Sequence, residues 1–233
     1  MTLRASDTWR GREIGPIMSM SGQGRPRKAG MGDIMDARDW DRRYEDRELL
    51  WGAGPNRFVA QEVSQLSPGR ALDLATGEGR NAIWLAERGW RVDAIDYSPV
   101  GLDRARRLAA ERGVDVTFIE ADLTTCQLAR RAYDLVLVVY LHLPWAEMQP
   151  ILQRAANAVA PGGTFLCVGH DLTNLDAGYG GPQSPEVLTT PETVAAALSD
   201  LDIQRAEVVK RPVQVEAGEV VEALDHLVRA IRR

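Results

Sequence analysis

Two carboxylates flank a glycine turn in the first half of this chain. Asp73 lies in a short apolar segment, the turn Thr76-Gly77-Glu78-Gly79 follows, and Asp96 ends the next apolar segment after a helical run at 80–88. Glycines let the backbone approach a ligand closely, and a helix start directs N–H groups at an anion. Strand, glycine turn, helix, strand and acid are typical of a nucleotide-type site on a parallel sheet. Asp96 lies where a ribose diol would be held.

The acids distinguish between the nucleotides that such a turn could bind. A pyrophosphate over the turn would face both Asp73 and Glu78, and like charges in a partly dry site are costly unless they are paired. S-adenosylmethionine instead carries an ammonium, a sulfonium and one carboxylate, so the acids favour this cofactor. A nicotinamide dinucleotide is the alternative, because Gly77-x-Gly79-x-x-Ala82 followed by Asp96 also fits its fingerprint. A glycine turn without a ligand is the third interpretation.

The run Asp73-Leu74-Ala75-Thr76-Gly77-Glu78-Gly79-Arg80-Asn81 resembles the first motif of class I S-adenosylmethionine-dependent methyltransferases. Within that class the chain is most similar to the small-molecule branch that contains the tellurite-resistance and thiopurine methyltransferases. The similarity extends from about Asp39 to the C-terminus. The family often has glycine where this chain has Ala75. We expect the alanine to keep a negative φ and to make the pocket slightly tighter.

The resemblance implies a set of cofactor-binding residues and a lid. In the family the acid after the third strand accepts from the adenine amino group and its neighbour packs on the ring, although Asp122 could also simply cap a turn. An aromatic N-terminal segment closes over the cofactor in the resembling enzymes, which makes Tyr44 and Trp51 candidate lid residues, with core packing as the alternative. The expected cofactor-binding residues are Asp73, Ala75, Thr76, Gly77, Gly79, Asn81, Asp96, Tyr97, Asp122, Leu123 and Tyr140.

Candidate catalytic residues follow the nearly all-apolar segment 133–140. Ligands of parallel sheets bind beyond the carboxyl ends of the strands, so Tyr140 and His142 should face the transferred methyl group. His142 is the first candidate for a base and His170 the second, since an unperturbed imidazole titrates near neutral pH. Either could instead be a hydrogen-bonded wall of the pocket. Tyr179 lies in a long polar loop that we expect on the substrate side, with disorder as the alternative.

The order of elements predicts a single α/β domain. We expect a Rossmann-like, doubly wound, seven-stranded, mostly parallel sheet; the chain itself supports the first five strands, and the resemblance implies an antiparallel edge strand. Residues 1–36, rich in Gly, Arg, Ser and Met, favour a disordered tail. Residues 37–233 then form the methyltransferase domain, with 37–66 as its lid and first helix.

Composition limits the partners. A net charge of −5 argues against a nucleic-acid substrate, and no apolar run approaches the ~20 residues that cross a bilayer. The two cysteines, Cys126 and Cys167, suggest neither a disulfide scaffold nor a metal cluster, so a cytoplasmic protein without a metal is expected.

The predicted acceptor is a small molecule with an oxygen, nitrogen, sulfur or metalloid nucleophile. The alternatives are a non-catalytic adenosylmethionine-binding domain with Tyr140 as a plug, an NAD(P)-dependent reductase, or a methylase of protein or RNA that docks through the basic tail. The oligomeric state is not predicted.

Overall fold

The computed structural model describes residues 54–215 and 219–233. The expected tail at 1–36, and the part of the expected lid that precedes residue 54, lie outside these residues. The described chain forms one seven-stranded sheet in the order β3-β2-β1-β4-β5-β7-β6. The strands are β1 (Arg70–Leu74), β2 (Arg91–Asp96), β3 (Thr117–Glu120), β4 (Tyr133–Val139), β5 (Val159–His170), β6 (Asp202–Gln214) and β7 (Val220–Ile231).

Local capping explains where the helices begin and end. They are α1 (Arg57–Val63), α2 (Arg80–Ala86), α3 (Pro99–Arg112), α4 (Trp145–Ala158), the single turn α5 (Asn174–Ala177) and α6 (Pro191–Ala196). The Asn56 side chain accepts the first N–H groups of α1, and the Ser98 hydroxyl accepts from Gly101 in α3. Gly113 ends α3 with a left-handed φ of 65°.

The central strands are apolar because helices cover both faces of the sheet. Side chains alternate along a strand, so Leu135 and Leu137 of β4 pack with α1 and α2, whereas Val136 and Val138 pack with α4 on the other face. All four side chains are fully buried. The two cores fix the strand ends, and the site lies beyond the carboxyl ends.

One strand runs against the others. β7 pairs antiparallel with both β5 and β6, so the prediction of a mostly parallel sheet with an antiparallel edge is confirmed. The dinucleotide-binding sheet has the order 3-2-1-4-5-6 and is essentially parallel. Insertion of the antiparallel β7 between β5 and β6 therefore favours the adenosylmethionine interpretation of the turn over the dinucleotide one.

The sequence pattern predicts a turn at 161–163 before the fifth strand, a loop at 172–188 and a helix from Pro191 to about Leu201, and the structure differs in each. Strand β5 begins directly after α4, at Val159, with an irregularity opposite Tyr133, so residues 161–163 belong to the strand rather than to a turn before it. Helix α6 ends at Ala196, five residues before the predicted end. The loop at 172–188 contains α5 and a 3-10 turn at Pro185–Val187.

Candidate active site

The turn between β1 and α2 is built from three left-handed residues. Ala75, Gly77 and Gly79 have φ values of 59°, 56° and 77°. The expectation that Ala75 keeps a negative φ is wrong: the chain adopts the left-handed bend as it leaves β1, and alanine takes it at a strain of about 1–2 kcal/mol. This strain gives a physical reason why glycine suits the position.

The two glycines of the turn have different surroundings. Gly77 lines a large cavity, and its N–H donates to Oδ2 of Asp96 over 2.8 Å. Gly79 is not among the residues that line this cavity. A Cβ on Gly79 would lie 3.0 Å from the Cβ of Ala105 and 3.1 Å from the ring of Phe118. Gly77 thus faces the ligand space, whereas Gly79 lets α2 pack against α3 and β3.

Asp96 lies on the cavity wall in a fixed orientation. Its Oδ2 accepts from Gly77, and its Oδ1 accepts the N–H of Ser98 over 2.9 Å. The two bonds hold the carboxylate between the glycine turn and the start of α3. Hydroxyl donors such as those of a ribose are chemically suited to this acceptor.

The other two acids do not present bare charges to the cavity. Asp73 is buried, accepts a 2.7 Å bond from the hydroxyl of Thr76, and does not line the cavity. Burial raises the pKa of Asp73 to about 7. Glu78 does line the cavity, but Arg104 pairs with it at 3.0 Å. The repulsion expected between these acids and a pyrophosphate is therefore weaker than the sequence indicated, and the sheet order carries the choice of cofactor.

The predicted adenine side of the site comes together at the ends of β2 and β3. Tyr97, Asp122 and Leu123 line the same cavity. Oδ1 of Asp122 accepts from both the N–H and the hydroxyl of Thr124, each over 2.7 Å, which is the turn role considered as its alternative. The adenine contacts of Asp122 and Leu123 stay predictions.

Asn81 connects the glycine turn to α1. Its Oδ1 accepts the backbone N–H of Asn56 over 2.9 Å, and both asparagines line the cavity. The sequence did not identify Asn56 as a site residue, although an asparagine before an apolar helix is a recognisable N-cap.

At the far end of the cavity, polar side chains converge on one buried carboxylate. Asp225 of β7 is fully buried; the hydroxyl of Tyr140 donates to its Oδ2 over 2.6 Å, and Nε of Arg211 donates to the same oxygen over 2.7 Å. Nδ1 of His170 lies 3.2 Å from Oδ1. Burial alone would raise the pKa of Asp225, but His170, Arg211 and Tyr140 outweigh it, so the pKa lies below its ordinary value.

Tyr140 and His142 enter this group from the end of β4. Tyr140 has a left-handed φ of 56°, a strained conformation for an aromatic residue. Burial, reinforced by the charge of Asp225, raises the pKa of the Tyr140 hydroxyl. The phenol therefore stays protonated and donates to the carboxylate.

His142 stacks on His170, with ring centroids 5.2 Å apart and an interplanar angle of 17°. Burial, reinforced by the neighbouring histidines, lowers the pKa of His142 to about 3. A base of this strength is poorly matched to reactions near neutral pH. His170 is thus better placed than His142 for the role of base, which reverses the order given by the sequence.

The remaining predicted site residues are those of the expected lid and of the substrate-side loop. Tyr44 and Trp51 fall outside the described residues. Tyr179 is 44% exposed and does not line the cavity. The loop that carries it nevertheless covers His170, because a Cβ on Gly181 would lie 2.9 Å from the His170 ring.

Asp225 and Arg211 were not predicted from the sequence. Asp225 stands between Leu224 and His226 in a strand rich in apolar residues, and an acid in such a place is the one available signal. His226 itself is buried, with Nε2 3.7 Å from the sulfur of Cys167, as suits a structural role.

One cavity of about 980 Å³ is lined by residues from both ends of the site, among them Gly77, Asp96, Asp122, Tyr140, His142 and His170. Small-molecule sites are commonly about 300–1,000 Å³, so this one has room for a nucleotide cofactor beside a second small molecule. Within the described residues, no three His, Cys, Asp or Glu side chains are grouped so that they could hold a metal ion. None of the described helices combines the length and apolarity needed to cross a membrane.

Comparison with known proteins finds similarity to methyltransferases. Residues 71–163 match the model of a family described as "Methyltransferase domain". The chain is 38% identical over 130 residues to a demethylmenaquinone methyltransferase of Thermus thermophilus, covering 53% of this chain and 59% of that protein. It is 28% identical over 117 residues to a 2-heptyl-1-hydroxyquinolin-4(1H)-one methyltransferase of Mycobacteroides abscessus, covering 49% and 52%. It is 33% identical over 109 residues to a tRNA 5-carboxymethoxyuridine methyltransferase of Escherichia coli, covering 46% and 42%.

The fold comparison agrees. The structure superposes on TehB of Haemophilus influenzae with a TM-score of 0.66 at 16% identity, covering 84% of this chain and 66% of that one. The chain spans only about half the length of the curated relatives that it matches. Residues 71–163 thus match a methyltransferase-domain family, and the sheet order and the glycine turn followed by Asp96 resemble those of class I methyltransferases, which use S-adenosyl-L-methionine.

Proposed function

We propose that this protein transfers a methyl group from S-adenosyl-L-methionine to a small-molecule acceptor. The observation that carries the proposal is the continuity of the cavity, whose lining includes both Gly77 and Asp96 at one end and His142 and His170 at the other. A donor held at the turn would therefore share one cavity with an acceptor at the histidines. Alignment of two reactants supplies much of the rate of such a transfer.

The cavity wall suits this cofactor in three respects. The Asp96 carboxylate is an acceptor for the ribose hydroxyls, Leu123 and Tyr97 offer apolar surface for the adenine, and the backbone of the turn at Ala75–Gly77 lines the space where the amino-acid end would lie. When bound, the cofactor supplies an activated methyl on a sulfonium. The contribution of the protein is then to orient the acceptor, exclude water and receive any proton that the acceptor loses.

A small acceptor is favoured over a nucleic acid. The net charge is −5, and the acceptor end of the cavity combines the apolar side chains of Leu141 and Leu143 with the polar group around His170. Phosphate recognition requires a clustered positive face, whereas a pocket of mixed apolar and polar side chains suits a small organic molecule. One of the relatives is a tRNA methyltransferase, so the test includes RNA. Methylation of RNA alone would contradict this choice.

The non-catalytic alternative depends on a blocked cavity. Tyr140 is the candidate plug, but its hydroxyl is drawn to Asp225 and its ring forms part of the wall. The space beside it is open to an acceptor, which favours an enzyme over a sensing domain.

The first experiment measures cofactor binding. Isothermal titration with S-adenosylhomocysteine should give binding to the wild type, loss with Gly77→Val and Asp96→Ala, and retention with Gly113→Val. The control is matched because Gly113 also has a left-handed φ, 65°, but nothing lies within 4 Å of its added Cβ. Thermal stabilisation by NADH without a response to S-adenosylhomocysteine would refute the proposal in favour of a reductase.

The second experiment measures turnover. The purified full chain is incubated with methyl-labelled cofactor and a panel of phenols, thiols, amines, metalloid oxyanions and bulk tRNA. Label in a small acceptor supports the proposal. Label only in tRNA, or cofactor binding with no transfer to any acceptor, contradicts it.

A further inference from the structure

The acceptor end of the cavity contains a histidine that is aligned by a buried acid. His170 at the end of β5 and Asp225 of β7 are direct partners in the antiparallel register. Nδ1 of His170 lies 3.2 Å from Oδ1 of Asp225. The two ring nitrogens lie on different edges of an imidazole, so Nε2 points away from the acid, and His170 lines the cavity. Among the described residues Nδ1 has no partner in good hydrogen-bond geometry, so the contact with Asp225 is one of charge and proximity. A carboxylate beside one nitrogen of a histidine that lines a cavity is the arrangement of a positioned general base.

The surrounding charges keep this pair in a usable state. Arg211 of β6 and the hydroxyl of Tyr140 both donate to Oδ2 of Asp225, and Oδ1 lies beside His170 and accepts a longer, 3.5 Å bond from Nη2 of Arg211. Arg211 balances the carboxylate, and Tyr140 and His142 are neutral neighbours. His226 lies next along β7 and is held neutral by burial, which lowers its pKa to about 4. Before proton transfer, Arg211 and Asp225 together carry no net charge. After it, the carboxylate lies beside the imidazolium of His170 and stabilises it.

The same wall is rich in aromatic rings. The centroid of His170 lies 5.0 Å from that of Tyr140 and 5.2 Å from that of His142, while Tyr140 and His142 are 6.1 Å apart. Such rings pack well against a planar, unsaturated ligand. A soft nucleophile such as a thiolate would need neither this surface nor a base.

Resting on the methyl transfer proposed above, we propose that the acceptor is an aromatic or enolic hydroxyl and that His170 is the base that removes its proton, with Asp225 as its positioning residue. The O–H bond of the acceptor breaks and the proton passes to Nε2 of His170. The acceptor oxygen then forms the new O–CH3 bond as the S–CH3 bond breaks, and the electron pair of that bond stays on sulfur as a neutral thioether. The imidazolium, paired with Asp225, returns its proton to water when the product leaves.

The test is a series of phenols of graded acidity at fixed pH, with wild type and His170→Gln. For weakly acidic phenols the substitution should lower kcat by ~10²–10⁴-fold, the usual contribution of a positioned base. The loss should shrink toward none for nitrophenols that are already ionised and for thiophenols. Asp225→Asn should give a smaller loss with the same dependence on acidity. A merely structural role would lower all the rates by one factor.

A binding measurement gives a readout without turnover. With S-adenosylhomocysteine present, the absorbance of bound 4-nitrophenol reports whether it is phenol or phenolate. At slightly acidic pH we expect phenolate in the wild type and phenol in His170→Gln. His226→Gln is the matched control, since His226 does not line the cavity, and should leave the absorbance at the wild-type value.

The outcomes separate the two proposals. If the wild type fails to bind S-adenosylhomocysteine, the proposed function itself fails. If it binds and methylates but His170→Gln changes every phenol equally or none, only this inference is overturned. The inference is likewise overturned if His142→Gln, rather than His170→Gln, produces the dependence on acidity. Should Asp225→Asn not fold, His170→Gln alone decides, because His170 is partly exposed to the cavity.

Discussion

Substituting Gly79 by alanine tests the packing of the glycine turn. The residue has a φ of 77°, which strains any L residue by about 1–2 kcal/mol. The new methyl would also lie 3.0 Å from the Cβ of Ala105 and 3.1 Å from the ring of Phe118. Overpacking of this kind costs about 1–3 kcal/mol. The free energy of unfolding should therefore fall by about 2–5 kcal/mol, a large part of the usual stability of a domain.

Gly113→Ala separates the two contributions. Gly113 has a similar φ of 65°, but nothing lies within 4 Å of an added Cβ. Both substitutions reduce the freedom of the unfolded chain equally, so that effect cancels in the comparison. Urea unfolding should show Gly79→Ala less stable than Gly113→Ala by about 1–3 kcal/mol, with unchanged m-values. Equal losses would show that φ strain alone matters and that the turn is not tightly packed against α3 and β3.

Three further substitutions test the charges and the strain around the turn. Arg104→Met removes a partner of the buried Glu78 and should lower the free energy of unfolding in urea by up to about 3 kcal/mol. Arg106→Met, on the exposed side of the same helix, should change it by less than about 0.5 kcal/mol in the same assay. Ala75→Gly should change stability by less than about 1 kcal/mol, because relief of the left-handed strain is offset by the greater freedom of glycine when unfolded, and Ala75→Val should be clearly destabilising in thermal melts. In the wild type the pKa of Asp73 is raised from 3.8 to about 7, so the folded state holds a proton that the unfolded state releases. The free energy of unfolding should therefore fall as pH rises from about 4 to about 7, and Asp73→Asn should flatten this dependence. At 1.36 kcal/mol per pKa unit the fall is on the order of 4 kcal/mol, and an unchanged slope in the variant would contradict the burial argument.

The parts of the site that were predicted from sequence are local in the chain. The strand, turn and helix that end at Asp96 need only periodicity and glycine spacing, and the structure agrees with the prediction within two residues at each boundary. The conformation of Ala75 could not be predicted in this way, because alanine disfavours a positive φ and nothing in the local sequence signals that the turn imposes one. Helical periodicity alone would place Arg104 on the solvated side of its helix, but it pairs with Glu78 because α3 packs beside the turn.

The parts that were missed depend on pairing between distant segments. His170 and Asp225 become neighbours only through the antiparallel register of β5 and β7, and Arg211 joins them through the pairing of β6 with β7. A shift of this register by one residue would turn Asp225 to the other face of the sheet. No periodicity within either segment specifies that register, so the acid could be noticed but not assigned a partner.

This division also limits what the relatives imply. The expected cofactor residues from Ala75 to Tyr140 lie within the matched range 71–163, whereas His170, Arg211 and Asp225 all follow it. The alignments to the curated relatives cover only about half of this chain. Similarity therefore supports the identity of the methyl donor, whereas the proposed base and its acid lie in strands that follow the matched range. In those strands, each proposed acceptor contact rests on one buried carboxylate. If exchange of Asp225 for asparagine left both the rate and its dependence on acceptor acidity unchanged, the C-terminal strands would be scaffold, and selection of the acceptor would fall to the cavity residues after β4, among them Leu141, His142 and Leu143.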